Sequence, residues 1–188
     1  LGNESLKESF STFFKREDTF TLGVCNGCQM LSQLKCIIPG ADHWPSFQRN
    51  ISEQFEARLS LVKVAASPSI FLRGMADSVL PVIVSHGEGR AVFSEEACKD
   101  RLEEQELIGL RYVDPYGSTT ERFPYNPNGS EEGITALTTV DGRVTIMMPH
   151  PERVFRAAQF SWCPESWGDY SPWNHFFANA RLWVSHHN

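Results

Sequence analysis

The feature that most restricts how this chain can fold is the segment Gly23–Gly27, in which Cys25 stands between two glycines. It follows the short apolar run Phe20–Val24 and precedes a helical pattern from Asn26 to about Lys35. A residue at the tip of a sharp turn from strand to helix has a strained backbone, and its neighbours must be small. The segment therefore predicts a strand–turn–helix unit with the Cys25 sulfur exposed at the carboxyl end of the strand.

The rest of the chain mixes strand-like and helical patterns, which predicts an α/β fold with a mixed sheet. An Asp-Gly pair at 141–142 between two apolar runs is typical of a hairpin. We expect helices at the start of the chain, after an N-cap at Ser94, and after Ser171-Pro172. The predicted strands are 20–24, 58–64, 79–84, 90–93, 107–113, 134–139 and 143–148, and the predicted loops are 37–50 and 114–133.

A candidate base for Cys25 lies in the segment Met148–Arg153, directly after a predicted strand. A thiol nucleophile needs a base within hydrogen-bond reach, and the base needs a group that fixes its tautomer. His150 and Glu152 suit these two roles. The prolines before and after His150 favour extended backbone, in which residues two apart face the same side. The pattern predicts a Cys25–His150–Glu152 triad.

Three further residues are candidates for the same site. The backbone N–H of Asn26, at the start of a helix, is predicted to donate to an oxyanion, and the helix N-terminus to favour a thiolate on Cys25. Gln29 lies one turn further along the helix, and His86 follows another predicted strand, so both are candidates for substrate binding.

Two other interpretations of the cysteine motif remain open from the residues alone. Cys25 could be a buried structural cysteine in an ordinary turn. Cys25 and Cys28 also form a C-x-x-C pair, which is typical of thiol redox modules. A zinc site would need a second pair of ligands, and none with matching spacing is present, so we predict no metal site.

Composition restricts the partners and the compartment. The formal net charge is −6 and the basic residues form no run, which argues against a nucleic-acid partner. No apolar run approaches the roughly 20 residues that span a bilayer, and no segment reads as a signal peptide. Five cysteines, an odd number, suggest reduced thiols. We therefore expect a cytoplasmic protein with no nucleic-acid or membrane partner.

Taken together, the motifs resemble the class I, or triad-type, glutamine amidotransferases. Within that class they look like the C-terminal glutaminase domain of the large, single-chain phosphoribosylformylglycinamidine synthases, and another class I amidotransferase is the alternative. The resemblance extends over essentially the whole chain, residues 1–188. It rests on the segments Leu22–Met30, Ile38–Gly40, Phe55–Arg58, Ser85–Arg90, Leu110–Asp114, Asn126–Ser130 and Met147–Phe155, and on the ending from Trp167 to Arg181.

The resemblance implies a three-layer, flavodoxin-like class I glutaminase domain and a defined reaction. Cys25 would attack the side-chain amide of glutamine and release ammonia, with His150 moving protons and Glu152 orienting His150. The ammonia would reach a synthetase portion of the same polypeptide. There, ATP and magnesium would serve the conversion of formylglycinamide ribonucleotide to its amidine in purine biosynthesis. The resemblance implies no cofactor for the glutaminase domain itself.

One departure from the family pattern concerns the beginning of the chain. The family's domain includes a first strand and a glycine-rich loop that supplies a second oxyanion donor, and both precede Leu1 in that pattern. We therefore expect a domain truncated at its N-terminus, without the synthetase domains and with an exposed sheet edge. Losing one oxyanion donor costs about 100- to 1000-fold in rate, so residues 1–188 alone are expected to be a poor glutaminase.

Overall fold

A mixed sheet of six strands forms the centre of the computed structural model, which describes residues 4–187. The strand order is β1-β8-β7-β6-β3-β4; β1 and β8 run parallel, and the other neighbouring pairs run antiparallel. Strands β2 and β5 form a separate antiparallel pair. The helices are α1 (Glu4–Lys15), α2 (Asn26–Gln33), α3 (Glu96–Glu104) and α4 (Trp173–His187). The strands are β1 (Thr21–Val24), β2 (Ser46–Gln48), β3 (Glu56–Val64), β4 (Val79–His86), β5 (Arg90–Val92), β6 (Ile108–Tyr112), β7 (Ile134–Thr138) and β8 (Val144–Met147).

Two apolar clusters cover the two faces of the six-stranded sheet. Trp173 and Phe176 of α4 pack into one cluster with residues of β3, β4 and β6. Phe14, Leu31 and Leu102, one from each of the other helices, pack into the second cluster with residues of β7 and β8. Helices on both faces of a mixed sheet make three layers, so the predicted α/β class is confirmed. Among residues 4–187, no helix is both long and apolar enough to cross a bilayer.

The start of α4 shows how the sequence anchors one of these layers. The backbone N–H of Trp173 donates to Ser171 Oγ at 3.2 Å, as a capping side chain does. The indole N–H of Trp173 donates to the Pro81 carbonyl at 2.7 Å, which ties the helix to β4. The Phe176 ring stacks on Phe71 with the centroids 4.9 Å apart. The helix predicted after Ser171-Pro172 is therefore present, and it begins at Trp173.

Two local predictions were wrong. Strand β2 lies inside the segment 37–50, which was predicted to be a loop, because a three-residue strand is too short to give a periodic pattern. Ser94 is not the N-cap of α3. Glu95 holds that position with extended backbone (φ −147°, ψ 143°), so helical geometry begins one residue later, at Glu96.

The pairing of β1 with β8 positions the two motifs that carry the candidate chemistry. Val24 pairs with Met147 at the carboxyl ends of both strands, and the Cys25 N–H donates to the Met147 carbonyl at 2.9 Å. Beyond β8, the His150 N–H donates to the Ile83 carbonyl of β4 at 2.8 Å. Within the described residues, β1 ends the sheet and has a neighbour on one side.

Candidate active site

Cys25 lies at the turn between β1 and α2, and the predicted strand–turn–helix unit is present. Its backbone has φ 53° and ψ −109°, a conformation that costs a non-glycine residue of the order of 1–3 kcal/mol. The two flanking glycines have different roles. A Cβ at Gly23 would lie 2.8 Å from the Gly27 carbonyl oxygen, whereas a Cβ at Gly27 would meet nothing within 4 Å. Of the two glycines, close packing therefore requires Gly23 and not Gly27.

This difference gives a matched pair of substitutions. We expect Gly23→Ala to lower the free energy of unfolding by about 1–3 kcal/mol, because the added methyl group meets backbone atoms that cannot move away easily. Gly27→Ala should leave stability unchanged or raise it by up to about 1 kcal/mol, because alanine is the better helix former. Chemical denaturation of both variants measures the difference. Equal losses in the two variants would contradict this account of the turn.

The surroundings of the Cys25 thiol favour its protonated form. Burial raises the pKa of Cys25, and Glu152 raises it further, while the N–H of Asn26 and the Arg153 guanidinium oppose the shift. The thiol lies 3.8 Å from the Ser85 carbonyl oxygen, which can accept its proton in a hydrogen bond. The sequence led us to expect a thiolate favoured by the helix N-terminus, but the cost of burial is larger. A thiol in this state needs a base before it can act as a nucleophile.

His150 is held in an orientation that suits a base. Its Nδ1 lies 2.6 Å from Glu152 Oε1, so the ring proton is held on that side. Its Nε2 is buried and has no hydrogen-bond partner among the described residues, which leaves it free to accept a proton. The predicted pairing of His150 with Glu152 is present, but its geometry was predicted incorrectly. Glu152 lies in a 3₁₀ turn, Pro151–Arg153, because proline suits the first position of a helical turn.

The Glu152 carboxylate is suited to its place beside the histidine. Burial alone would raise its pKa, but the hydrogen bond with His150 and the charge of Arg153 outweigh burial and lower the pKa below its usual value. Glu152 therefore stays ionised near neutral pH. A carboxylate on Nδ1 stabilises the imidazolium that forms when Nε2 takes a proton.

Cys25 and His150 line a common pocket of about 650 Å³. This volume lies in the range of small-molecule sites, roughly 300–1,000 Å³. The other residues predicted for the site, Asn26, Gln29 and His86, line the same pocket, whereas Glu152 lies behind His150 and does not line it. The sheet thus brings all these residues to one end, although their roles stay predictions.

Gln29 and His86 differ in what they offer the pocket. Gln29 is half-buried and donates its side-chain amide to the Glu88 carbonyl at 2.7 Å, which joins α2 to the segment after β4. His86 is the last residue of β4 and is 4% exposed. Its Nε2 lies 3.1 Å from the side-chain nitrogen of Asn128. Burial lowers the pKa of His86 to about 4, with a further lowering from His150, so the ring is neutral at pH 7.

Several residues around the pocket were not singled out by their chemistry in the sequence. Ser85, Phe55 and Arg153 line the pocket, and Asn50 and Asn128 hold the segment after β4 from behind. Phe55 and Arg153 lie inside motifs that carried the resemblance, but nothing in the local pattern indicated a contact with Cys25. For Asn128, the only local signal is the density of amide and hydroxyl side chains between positions 126 and 130.

The remaining cysteine of the motif lies in the core. Cys28 is 0% exposed, packs into the cluster beneath α2, and has a pKa raised well above its usual value by burial. Both Cys25 and Cys28 are free thiols. Among the described residues, no group of three or more His, Cys, Asp or Glu side chains is arranged to hold a metal ion.

Comparison with known proteins gives one family match and structural similarities. Residues 1–184 match the CobB/CobQ-like glutamine amidotransferase domain. The structure of PurLQS from Thermotoga maritima is similar with a TM-score of 0.57 at 20% identity, and the match covers 88% of this chain and 60% of that one. A glutamine amidotransferase from Thermotoga maritima matches 98% of this chain and 61% of its own, with a TM-score of 0.43 at 16% identity. The chain thus spans about three fifths of the length of either structure, and the first similarity shows the fold.

Proposed function

This chain belongs to the family of CobB/CobQ-like glutamine amidotransferase domains, and from that membership we propose that it hydrolyses glutamine to glutamate and ammonia at Cys25. The observation that carries the proposal is that the Cys25 thiol and His150 line the same pocket. The Nε2 of His150 has no hydrogen-bond partner among the described residues, and its Nδ1 faces the Glu152 carboxylate. This arrangement is the one that acyl transfer through a covalent intermediate requires.

The reaction proceeds through two acyl transfers. His150 Nε2 takes the thiol proton as Cys25 Sγ attacks the side-chain amide carbon of glutamine, and the backbone N–H of Asn26 donates to the oxyanion. The C–N bond breaks as His150 returns the proton to the leaving nitrogen, and ammonia departs. Water then attacks the thioester, His150 takes its proton, and the C–S bond breaks. Glutamate leaves, and the proton returns to Cys25.

Free glutamine also suits the charges at the pocket. Glu88 and Arg153, which carry opposite charges, are among the residues that line it, and a free α-amino acid carries an ammonium group and a carboxylate. Gln29 and His86 line the same space and are further candidates for substrate contacts. A peptide substrate would lack both terminal charges, so this lining favours the free amino acid.

The wider reaction is also proposed. The ammonia would serve an ATP- and magnesium-dependent synthetase portion that converts formylglycinamide ribonucleotide to formylglycinamidine ribonucleotide in the cytoplasm. What supports this is the set of long sequence motifs, from Leu22–Met30 to Met147–Phe155, that resemble the glutaminase domain of that synthase. The glutaminase portion itself needs no cofactor for the chemistry described above.

A thiol redox function has less support than glutamine hydrolysis. A redox pair needs a second thiol that can exchange with a partner, and exchange rates depend on thiolate character and access. Cys28 is fully buried in an apolar cluster, and burial raises its pKa. It therefore serves packing.

The proposal can be tested by covalent labelling of the intact enzyme with a diazo-ketone analogue of glutamine. We expect one equivalent of label on Cys25. Excess glutamine should prevent the labelling, because glutamine and its analogue compete for the same pocket before the Cys25 sulfur reacts. Peptide mass mapping locates the label. The control variant is Cys36→Ala, which removes an exposed thiol and should leave labelling unchanged. Labelling that glutamine does not prevent, or a reversible Cys25–Cys28 disulfide, would overturn the proposal.

A further inference from the structure

Two buried asparagines hold the segment 86–89, which forms one side of the pocket. Asn50 and Asn128 are 1% and 0% exposed. Asn50 donates its side-chain amide to the His86 carbonyl at 2.8 Å and accepts the Gly89 N–H at 3.0 Å. Asn128 donates to the Gly89 carbonyl at 2.8 Å. The two asparagines come from different loops, and neither lines the pocket itself.

The hydrogen bonds of Asn128 fix which way its amide points. The Ser130 N–H, which can only donate, lies 3.0 Å from Asn128 Oδ1, and the Gly89 carbonyl, which can only accept, lies 2.8 Å from Nδ2. The Ala91 N–H donates to Ser130 Oγ at 2.9 Å, and the Ser130 hydroxyl donates to Asn128 Oδ1 at 2.7 Å. Rotating the amide by half a turn would set donors against donors.

The fixed amide determines the tautomer of His86. Asn128 Nδ2 lies 3.1 Å from His86 Nε2, and because Nδ2 can only donate, Nε2 must accept. A neutral imidazole with an accepting Nε2 carries its proton on Nδ1. This Nδ1 is buried and has no hydrogen-bond partner among the described residues.

The charges around His86 explain why its protonation matters to the site. His150 lies close enough to act on it, and Glu56 on β3 acts in the opposite sense. The Glu56 carboxylate already accepts hydrogen bonds from Ser52 and from the Arg58 cation. It would therefore stabilise a protonated His86 only weakly. If His86 were protonated, its positive charge would oppose the protonation of His150 in the same pocket.

We propose, on the basis of the glutaminase function above, that Asn128 is a positioning residue that holds His86 as the uncharged Nδ1–H tautomer. His150 is then the single ring in the pocket that takes and returns a proton during the reaction. Asn128 acts through His86 and touches neither the triad nor the substrate.

The test is Asn128→Asp in the intact enzyme, a substitution of nearly the same shape. One carboxylate oxygen can still accept from Ser130, but the other takes the place of Nδ2 beside the Gly89 carbonyl and His86 Nε2 and can only accept. His86 must then carry a proton on Nε2, and a carboxylate at this distance raises the pKa of the ring by 1–3 units in typical cases. Because a charged His86 opposes protonation of His150, we expect the acidic limb of the kcat/KM profile for glutamine to move to higher pH, by up to about one unit.

The matched control is Asn126→Asp, which puts a carboxylate into the same loop. Asn126 is equally buried and bonds Thr120, Gly129 and Ser130, but it does not contact His86. It should leave the acidic limb in place even if it loosens the loop. The double variant Asn128→Asp/His86→Gln removes the ring that titrates and should return the limb to its wild-type position, whatever the remaining rate.

Two results would overturn the inference. Neutron diffraction of the wild-type enzyme that located the ring proton of His86 on Nε2 would do so without reference to activity. An acidic limb that stayed in place or moved to lower pH in Asn128→Asp would also overturn the inference. A move to lower pH is the result expected if a protonated His86 acted only by stabilising a Cys25 thiolate. Failure of the proposed function would look different, because the wild-type enzyme would then turn over no glutamine at any pH.

Discussion

On the wider reaction proposed above, Cys25→Ala is expected to abolish glutamine-dependent synthesis in the intact enzyme while leaving synthesis from free ammonia unchanged. Removing the nucleophile of a triad enzyme costs about 10⁶-fold in kcat, since no covalent intermediate can form. Ammonia supplied in solution bypasses that step. Alanine is tolerated at the turn as well as cysteine is, because both side chains carry the same Cβ at φ 53°. Release of labelled ammonia from glutamine and formation of the amidine measure the two activities separately.

The control for this experiment is Cys36→Ala, which makes the same chemical change at an exposed thiol outside the pocket. It should leave both activities at the wild-type level. Loss of both activities in Cys25→Ala would contradict the proposed division of labour, because it would mean that Cys25 serves the synthetase step or the fold. Retention of glutamine turnover would remove Cys25 from the mechanism altogether.

His150→Asn is expected to lower glutamine turnover by about 10⁴- to 10⁶-fold. Burial raises the pKa of Cys25, so little thiolate forms without a base to take the proton. An asparagine side chain cannot take a proton at neutral pH. Single-turnover formation of the glutamyl thioester measures the loss directly and separates it from a weaker affinity for glutamine.

Glu152→Gln gives the graded comparison. A glutamine can still accept a hydrogen bond from Nδ1, but it provides no charge to stabilise the imidazolium. Removing the charge of a buried triad carboxylate costs about 10⁴-fold, and the half-exposed Glu152 should cost less, about 10²-fold. A loss as large as that of His150→Asn would contradict this graded role, and an unchanged rate would show that Glu152 acts only by orienting His150.

The proximity of Cys25, His150 and Glu152 was predictable from sequence because each of them has a local signal. Cys25 stands between glycines at a change from an apolar run to a helical pattern, and His150 and Glu152 lie two positions apart in a proline-restrained segment. Their meeting in space followed from a general rule, since both segments leave the carboxyl ends of strands. The fold class was predictable for the same reason, because most strands and helices were long enough to show their period.

What the sequence could not provide depends on contacts between distant segments. Asn128 and His86 are separated by 42 positions, and an asparagine in a loop rich in turn residues looks the same whether it is exposed or buried. The raised pKa of Cys25 could not be predicted either. The helix N-terminus can be recognised locally, whereas the burial that outweighs it depends on the whole sheet.

The parallel pairing of β1 with β8 has a consequence for biosynthesis. The two strands lie roughly 120 positions apart, so Cys25 leaves the ribosome well before His150 has been translated. Contacts this distant in sequence also form slowly. Until β8 pairs beside β1, nothing assembles the strained turn next to His150, and a nascent chain carries an ordinary cysteine. We therefore expect the proposed site to assemble only after translation has passed Glu152, so that unfinished chains do not hydrolyse glutamine.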